Sequence, residues 1–297
     1  MTPTRNNWIS IFLLGLIWGG TFMVVSIALE GYGPLTVAAA RTGLGAIALT
    51  GLMAVMRAPM PSRTALISLI PIGILNTALP FALLSWGQQY VPSAFAGVSM
   101  AMLPLFVLPL AHLFSDEPLS RNKTLGVVIG FLGALVLVGP GLLTIGQGAE
   151  PLGQLACVAA TLSYAISSVL TRRCPPVDPI TLAAFTLIIG AVILTPAMLI
   201  VEGTPQWEGA RSGLAILFLG FFPTALAALL RVLVIRSAGS VFMTLVNYQV
   251  PLWSVLFGWL ILNEELPWRF FGALVLILFG LAVSQGRKGI RILTPRA

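Results

Sequence analysis

Two prolines in the middle of long apolar segments could create a binding site for a small polar molecule. Pro80 lies four residues after Asn76, and Pro251 lies four residues after Asn247. A proline inside a helix has no N–H to donate, so the carbonyl four residues earlier loses its partner. Each asparagine adds a side-chain amide at the same level. These groups could bind a solute through hydrogen bonds; alternatively, each amide satisfies its own kink or bonds a neighbouring helix.

Aromatic residues near the middle of two other apolar segments would supply an apolar wall for such a site. Trp18 is one, and Tyr164 is the other, on a helical face shared with Thr161, Ser168 and Thr171. A polar face at this depth should not face lipid, although hydrogen bonding between helices would also explain it. The predicted substrate-binding residues, all near mid-depth, are Trp18, Asn76, Pro80, Met100, Leu103, Tyr164, Ser168, Asn247 and Tyr248.

No catalytic or metal-binding set accompanies these residues in the sequence. All nine acidic residues lie in loops or at predicted helix ends, and the single histidine, His112, lies near the end of a segment. Pairs of histidine or cysteine at metal-ligand spacing and a Gly-rich phosphate loop are also absent from the sequence. We therefore expect neither enzymatic activity nor a cofactor or metal. Because no carboxylate lies at mid-membrane, we expect solute movement without obligatory coupling to protons or sodium.

Arg41 and Arg231 are the two charged residues inside the apolar segments. Each lies about one and a half turns from a predicted membrane surface, so snorkelling to that surface would keep its charge in water. In the alternative interpretation, Arg41 pairs with an anionic group of a substrate.

The elements that must position these residues are membrane-spanning helices. The chain is 58% hydrophobic and 8% charged, with a mean hydropathy of +0.99, whereas a soluble domain carries about 25% charged residues. A bilayer core of about 30 Å requires roughly 20 apolar residues per helix. We predict ten spans, at residues 8–28, 36–56, 65–87, 94–114, 122–140, 152–172, 179–200, 213–236, 239–262 and 268–286.

The second half of the chain is a weak copy of the first. At an offset of 147 residues, Gly73 falls on Gly220 and Pro104 falls on Pro251. Each half holds five spans, an odd number, so the second copy must be inverted in the membrane, as in many transporters. The predicted fold is all-α integral membrane, with ten transmembrane helices in two inverted five-helix repeats. The repeats cover residues 8–140 and 152–286.

Basic residues predict the orientation of the helices. With the N-terminus inside the cell, the predicted outer loops hold only Arg211 and Arg269, and both termini are cytoplasmic. The net charge of +7 is therefore interpreted as a topology signal and not as nucleic-acid binding. The predicted cytoplasmic segments hold Arg5, Arg57, Arg63, Arg121, Lys123, Arg172, Arg173, Arg236, Arg287, Lys288, Arg291 and Arg296.

Glycines four residues apart predict close helix packing, at Gly15 and Gly19 in the first span and at Gly126 and Gly130 in the fifth. The fifth and tenth spans are rich in glycine and poor in polar atoms. We interpret them as peripheral supports or as the contact face of a dimer.

The ordered motifs resemble those of the ten-helix drug/metabolite transporter superfamily, EamA type. The chain is also similar to the YddG-type branch, which exports aromatic and other neutral amino acids. The resemblance implies a bacterial inner-membrane exporter with a central cavity between its halves, and it assigns architectural roles to Glu117 and Glu264. The motifs that carry it are Trp18-Gly19, Pro34-Leu35-Thr36, Ala40-Arg41, Pro104, Glu117-Pro118-Leu119, Gly126, Pro251, Glu264-Glu265-Leu266 and Gly272.

These observations favour a secondary transporter that exports small amphipathic metabolites, chiefly aromatic and other neutral amino acids, by alternating access. Its expected partners are a small-molecule substrate and the lipid bilayer, and the chain is expected to be a monomer or a homodimer. One alternative is a drug, nucleotide-sugar or other metabolite carrier of the same fold. A phosphorylated substrate would require several Lys or Arg residues in the cavity. Alternatives from other classes are a non-transporting membrane enzyme subunit and a channel.

Overall fold

The computed structural model describes residues 3–114, 120–143 and 148–293, and all regular structure in those ranges is helical. Within those ranges, nine helices are long and apolar enough to cross a membrane, and a shorter apolar helix, Val246–Leu262, completes a tenth span. The predicted all-α membrane fold is confirmed. The spans are α1 (Arg5–Leu29), α2 (Pro34–Val55), α3 (Arg63–Gly87), α4 (Ser93–Phe114), α5 (Arg121–Leu143), α6 (Glu150–Arg173), α7 (Pro179–Val201), α8 (Ala210–Leu219, Gly220–Leu226 and Ala227–Ala238), α9 (Ser240–Met243 and Val246–Leu262) and α10 (Trp268–Leu293).

Local sequence explains where several of these helices begin. The Thr4 hydroxyl accepts the Asn7 backbone N–H, and the Asn7 side chain accepts the Thr4 N–H in return. The Asp178 carboxylate accepts the N–H groups of Ile180 and Thr181 at the start of α7. Both arrangements satisfy N–H groups that the first turn of a helix leaves free.

Two spans contain π-helical segments at equivalent places in the two halves. Ile74–Ala78 interrupts α3, and Gly220–Leu226 interrupts α8. At the offset of 147 residues, the first segment falls inside the second. A π-helical turn shifts the hydrogen-bond register by one residue and often marks a functional site. The repeat also carries Gly73 and Gly220 at the same point of the two spans.

The spans α4 and α9 break near their middle. Ala101 and Met102 separate the two helical pieces of α4, and the α9 pieces end at Met243 and begin again at Val246. The sequence predicted a single continuous span at 239–262, and it placed the end of the last span at 286 although α10 continues to Leu293.

Close contacts between small residues hold the spans together, as the glycine spacing predicted. Gly15 packs against Gln249 of α9, where an added methyl group would lie 2.7 Å from the Gln249 Oε1. A methyl group at Gly280 would lie 2.6 Å from the Gly126 carbonyl oxygen, so α5 and α10 touch through their backbones. A side chain larger than glycine would separate these helix pairs.

The two five-helix halves interlock across the bundle. Buried side chains of α1, α4, α6 and α9 form one core cluster, which includes Leu14, Val98, Ala160 and Val246. A second cluster joins α1 and α2 to α8. Large apolar side chains such as Ile67 and Ile200 are exposed on the outside of the bundle, where lipid would cover them.

Candidate functional site

Arg41 lies on α2 with its side chain turned into the bundle. It is only 6% exposed, and its guanidinium carbon lies 4.0 Å from the centroid of the Phe81 ring on α3. Its Nε is buried without a hydrogen-bond partner, and no acidic side chain pairs with it in the part of the chain that the structure describes. The predicted snorkelling of Arg41 to the membrane surface is therefore wrong. The reason is that α3 packs Phe81 beside α2 and provides a ring on which the cation rests.

Tyr164 on α6 faces the same region. Its ring packs against the core cluster, and its hydroxyl interacts electrostatically with Arg41. Within the described residues, that hydroxyl makes no hydrogen bond. The neighbouring Thr161 donates to the Ser99 carbonyl of α4 at 3.2 Å. For Thr161, the alternative interpretation of the polar face, hydrogen bonding between helices, is confirmed.

The proline in α3 releases a different carbonyl from the predicted one. In the π-helical segment the N–H of Leu79 donates to Ile74, five residues earlier. In this register Pro80 leaves the carbonyl of Leu75 without a partner, whereas the sequence predicted that of Asn76. Ser163 of α6 donates to the Leu75 carbonyl at 2.8 Å.

Asn76 therefore retains an uncommitted side chain beside α6. Its neighbour Leu75 bonds Ser163, which precedes Tyr164, so Asn76 and Tyr164 flank one contact between α3 and α6. The Asn76 amide makes no hydrogen bond to any residue that the structure describes, and it is half-buried. The structure does not show the alternative arrangement, in which the Asn76 amide would form a hydrogen bond with a group freed by the kink in its own helix.

Trp18 and Met100 complete the cluster from α1 and α4. The Trp18 indole N–H donates to the Pro223 carbonyl in the π-helical segment of α8 at 3.2 Å. The Met100 sulfur lies 3.9 Å from the Thr161 hydroxyl. We name this group the central cluster; its members are Trp18, Arg41, Asn76, Phe81, Met100 and Tyr164.

Two polar residues on α6 and α8 are exposed in the structure. Ser168 lies one turn beyond Tyr164, half a turn round the helix from the exposed Ala159. Arg231 of α8 lies two residues from the exposed Leu233 and so on nearly the opposite side of that helix. The Ser168 hydroxyl donates to the Tyr164 carbonyl at 2.8 Å.

The residues predicted on α9 divide between two faces. Asn247 lies half a turn round the helix from the outward-facing Leu256 and forms no side-chain hydrogen bond with the described residues. Tyr248 shares a face with Leu252, which is 50% exposed on the outside of the bundle. Leu103 is half-buried just after the break in α4, and Pro80 is buried in α3.

Two surface cavities lie apart from the central cluster. One, of about 440 Å³, is lined by Trp259, Glu264 and Trp268 at the ends of α9 and α10. The other, of about 240 Å³, is lined by Tyr32, Trp207 and neighbours, among them Ala40, the residue before Arg41. Neither cavity includes a member of the central cluster.

Both halves of the chain match one family model, that of the EamA-like transporter family. The matched residues are 7–139 and 151–285. The chain belongs to the EamA-like transporter family. This confirms the EamA part of the resemblance, whereas assignment to the amino-acid-exporting branch stays a prediction.

Relatives of this EamA-like protein match it along nearly their whole length. It is 27% identical over 279 residues to the uncharacterized transporter YoaV of Bacillus subtilis (strain 168), covering 93% of this chain and 95% of that one. It is 27% identical over 276 residues to the uncharacterized inner membrane transporter YedA of Escherichia coli (strain K12), covering 92% and 89%. A solved crystal structure aligns with this chain at a TM-score of 0.65 and 20% sequence identity. The alignment covers 98% of this chain and 100% of that chain, and at this identity it shows a likeness of fold alone.

Sequence reasoning missed Phe81, a member of the central cluster, and Pro223, whose carbonyl accepts the Trp18 indole N–H. Phe81 is one of sixteen phenylalanines, and no pattern separated it from those that face lipid. Pro223 was also missed, although it falls on Asn76 at the offset of 147 residues. The alignment of Pro223 with Asn76, an asparagine already predicted to bind substrate, was the signal that could have identified Pro223.

Proposed function

We propose that this EamA-like protein is a secondary transporter for small amphipathic metabolites, with aromatic and other neutral amino acids as its substrates. The solute binds at the central cluster and leaves on the other side of the membrane when the two halves rock about it. Export from a bacterial cell is the proposed direction.

The observation that carries this proposal is a set of uncommitted polar groups beside an aromatic wall. Buried polar groups in proteins are nearly always hydrogen-bonded within the molecule or to water. In the described part of the chain, the buried Nε of Arg41 has no hydrogen-bond partner, and the half-buried side chains of Asn76, Tyr164 and Asn247 have none either. Trp18, Met100 and Tyr164 pack against the same core cluster. Sites for small molecules combine such an apolar lining with a few convergent polar groups.

The proposed orientation rests on the basic residues and on the relatives. The short segments at the end that holds the N-terminus are rich in Lys and Arg, which favours the cytoplasmic side. One relative is named an inner membrane transporter. We therefore place the protein in the bacterial inner membrane with both termini in the cytoplasm.

A carrier for nucleotide sugars or other phosphorylated metabolites is the second candidate of the same fold. Arg41 and Arg231 are the two charged residues inside the predicted apolar segments, and only Arg41 of the two is buried. Phosphate groups are usually bound by several Arg or Lys side chains, so these two residues favour a substrate with less negative charge.

Counterflow in proteoliposomes tests the proposed function. Vesicles loaded with unlabelled phenylalanine should accumulate labelled phenylalanine transiently, with equal pH and sodium on both sides, because no acidic side chain lies mid-membrane to require a coupled ion. Protein-free vesicles and vesicles with the Trp18→Ala variant are the controls. We expect the variant to exchange phenylalanine more slowly than the wild type. If wild-type vesicles exchange no neutral amino acid, the proposed substrate class is wrong.

A further inference from the structure

Arg41 is the strongest unexplained feature of the structure. We propose that Arg41 binds the carboxylate of the transported molecule, so that the substrates are carboxylates and amines without a carboxylate are excluded. This inference rests on the proposed function, because it names the chemistry of the same site.

Burial of the charge without a protein partner indicates that a ligand supplies the partner. A guanidinium stays protonated in proteins, so Arg41 cannot lose its charge by releasing a proton. Removing a charge from water is costly unless an opposite charge or several hydrogen bonds compensate. Arg41 is 6% exposed; its guanidinium lies over the Phe81 ring, and no acidic side chain in the described part of the chain pairs with it. An anionic group of the substrate would provide the missing compensation.

The contact with Phe81 leaves the hydrogen-bonding groups of Arg41 available. The ring supports the cation from one side, with 4.0 Å between the guanidinium carbon and the ring centroid. A contact of this kind forms no hydrogen bond, so it commits none of the guanidinium N–H groups. The buried Nε is one of these groups and has no partner. Two adjacent N–H groups of a guanidinium match the two oxygens of a carboxylate.

The sign of the charges within the spans favours an anionic group over a cationic one. Arg41 lies about 10 Å along α2 from the first residue of that helix. Arg231 lies nearer the other end of the bundle, about 10 Å along α8 from the final residue of that helix. The only acidic residue within a described helix is Glu150, at the first position of α6. A lone ammonium would thus meet two like charges and no carboxylate, whereas the ammonium of an amino acid enters with its own carboxylate.

Equilibrium binding to the purified protein tests this inference without requiring transport. The probes are phenylalanine, 3-phenylpropionate, which lacks the amine, and 2-phenylethylamine, which lacks the carboxylate. We expect the wild type to bind the two carboxylates and to bind the amine roughly tenfold more weakly or worse, as expected for loss of a charge-assisted pair. Arg41→Gln should lose this preference and bind the carboxylates about tenfold more weakly.

Two further variants separate the site from general effects. Arg41→Lys keeps the charge without the planar pair of N–H groups, so it should retain part of the preference. Arg269→Gln removes an exposed charge at the start of α10 and should bind all three probes as the wild type does. Because Arg41→Gln removes an uncompensated buried charge, we expect it to insert normally and to elute as a single species in size-exclusion chromatography.

The outcomes distinguish this inference from the proposed function. Binding of 3-phenylpropionate without phenylalanine would support the carboxylate site while excluding amino acids as substrates. Equal binding of amine and carboxylates by the wild type, an unchanged preference in Arg41→Gln, or binding of neither carboxylate would overturn the inference. Phenylalanine counterflow that persists beside any of those results would leave the proposed function intact.

Discussion

Arg41 and Asn76 show what a sequence can and cannot specify about a single residue in a membrane. The depth of Arg41 follows from its place in the span, but depth allows both snorkelling and burial. Phe81 decides whether Arg41 snorkels or is buried. It is 40 residues away in the sequence and comes close to Arg41 only after α2 and α3 have packed. The kink at Pro80 was predicted from local chemistry. The identity of the carbonyl that this kink releases was not predicted, because the π-helical register is a property of the whole turn.

The amides of Asn76 and Asn247 should contribute to transport directly. Loss of one buried hydrogen bond costs about 0.5–1.5 kcal/mol, or up to roughly tenfold in affinity. We expect Asn76→Ala and Asn247→Ala each to raise the phenylalanine concentration for half-maximal counterflow by up to about tenfold while inserting normally. Asn122→Ala, at an exposed position near the start of α5, is the matched control. Unchanged counterflow in both test variants would mean that these amides do not touch the substrate.

At the scale of helices, hydropathy and the internal repeat predicted all ten spans. The breaks within α4 and α9 were not predicted and are seen only in the structure. The π-helical segments follow the repeat, because Gly73 and Gly220 lie at equivalent places. The break in α9 after Met243 does not follow it, since the break in α4 comes at Ala101, one turn later in the repeat. The repeat alone therefore does not specify where these two spans break.

Carboxylates at the bundle end opposite the N-terminus tie the two halves together. Glu202, after α7, accepts the N–H groups of Leu35 and Thr36 at 2.8 and 2.7 Å. Glu264, after α9, accepts those of Ser93 and Ala94 at 2.6 and 3.1 Å, which agrees with its predicted architectural role. The predicted partner of Glu264 in the repeat, Glu117, lies outside the described residues. Both contacts place a negative charge at a helix N-terminus, where it is stabilised.

Removing the Glu202 carboxylate should destabilise this end of the bundle. Hydrogen bonds to a charged group contribute about 1.5–3 kcal/mol, so we expect Glu202→Ala to lower the midpoint of thermal unfolding in detergent. Glu202→Gln, which keeps an acceptor oxygen, should have a smaller effect. Glu208→Ala is the control, because that carboxylate is exposed in the same loop. An equal midpoint for Glu202→Ala and Glu208→Ala would show that the contact does not stabilise the fold.

At the scale of the whole molecule, two interlocked five-helix halves enclose an inward-facing set of polar groups. The tied end, held by Glu202 and Glu264, is the outer end in the proposed orientation. Ser168 and Arg231 are exposed nearer the other end. In the proposed orientation, opening of the outer side would require release of these carboxylate contacts between the halves.

Accessibility of a cysteine placed at Ser168 tests the central claim, that a substrate-binding opening lies between the halves. The background is favourable, because Cys157 is buried, and burial raises the pKa of the Cys174 thiol, lowering its thiolate fraction. With Cys174→Ser in place, Ser168→Cys in membranes should react with a membrane-impermeant thiol reagent, and phenylalanine should slow that reaction. Ile166→Cys, two residues away on nearly the opposite side of α6, should be unaffected by phenylalanine. Equal reaction rates of Ser168→Cys with and without phenylalanine, in protein that exchanges phenylalanine, would contradict the account.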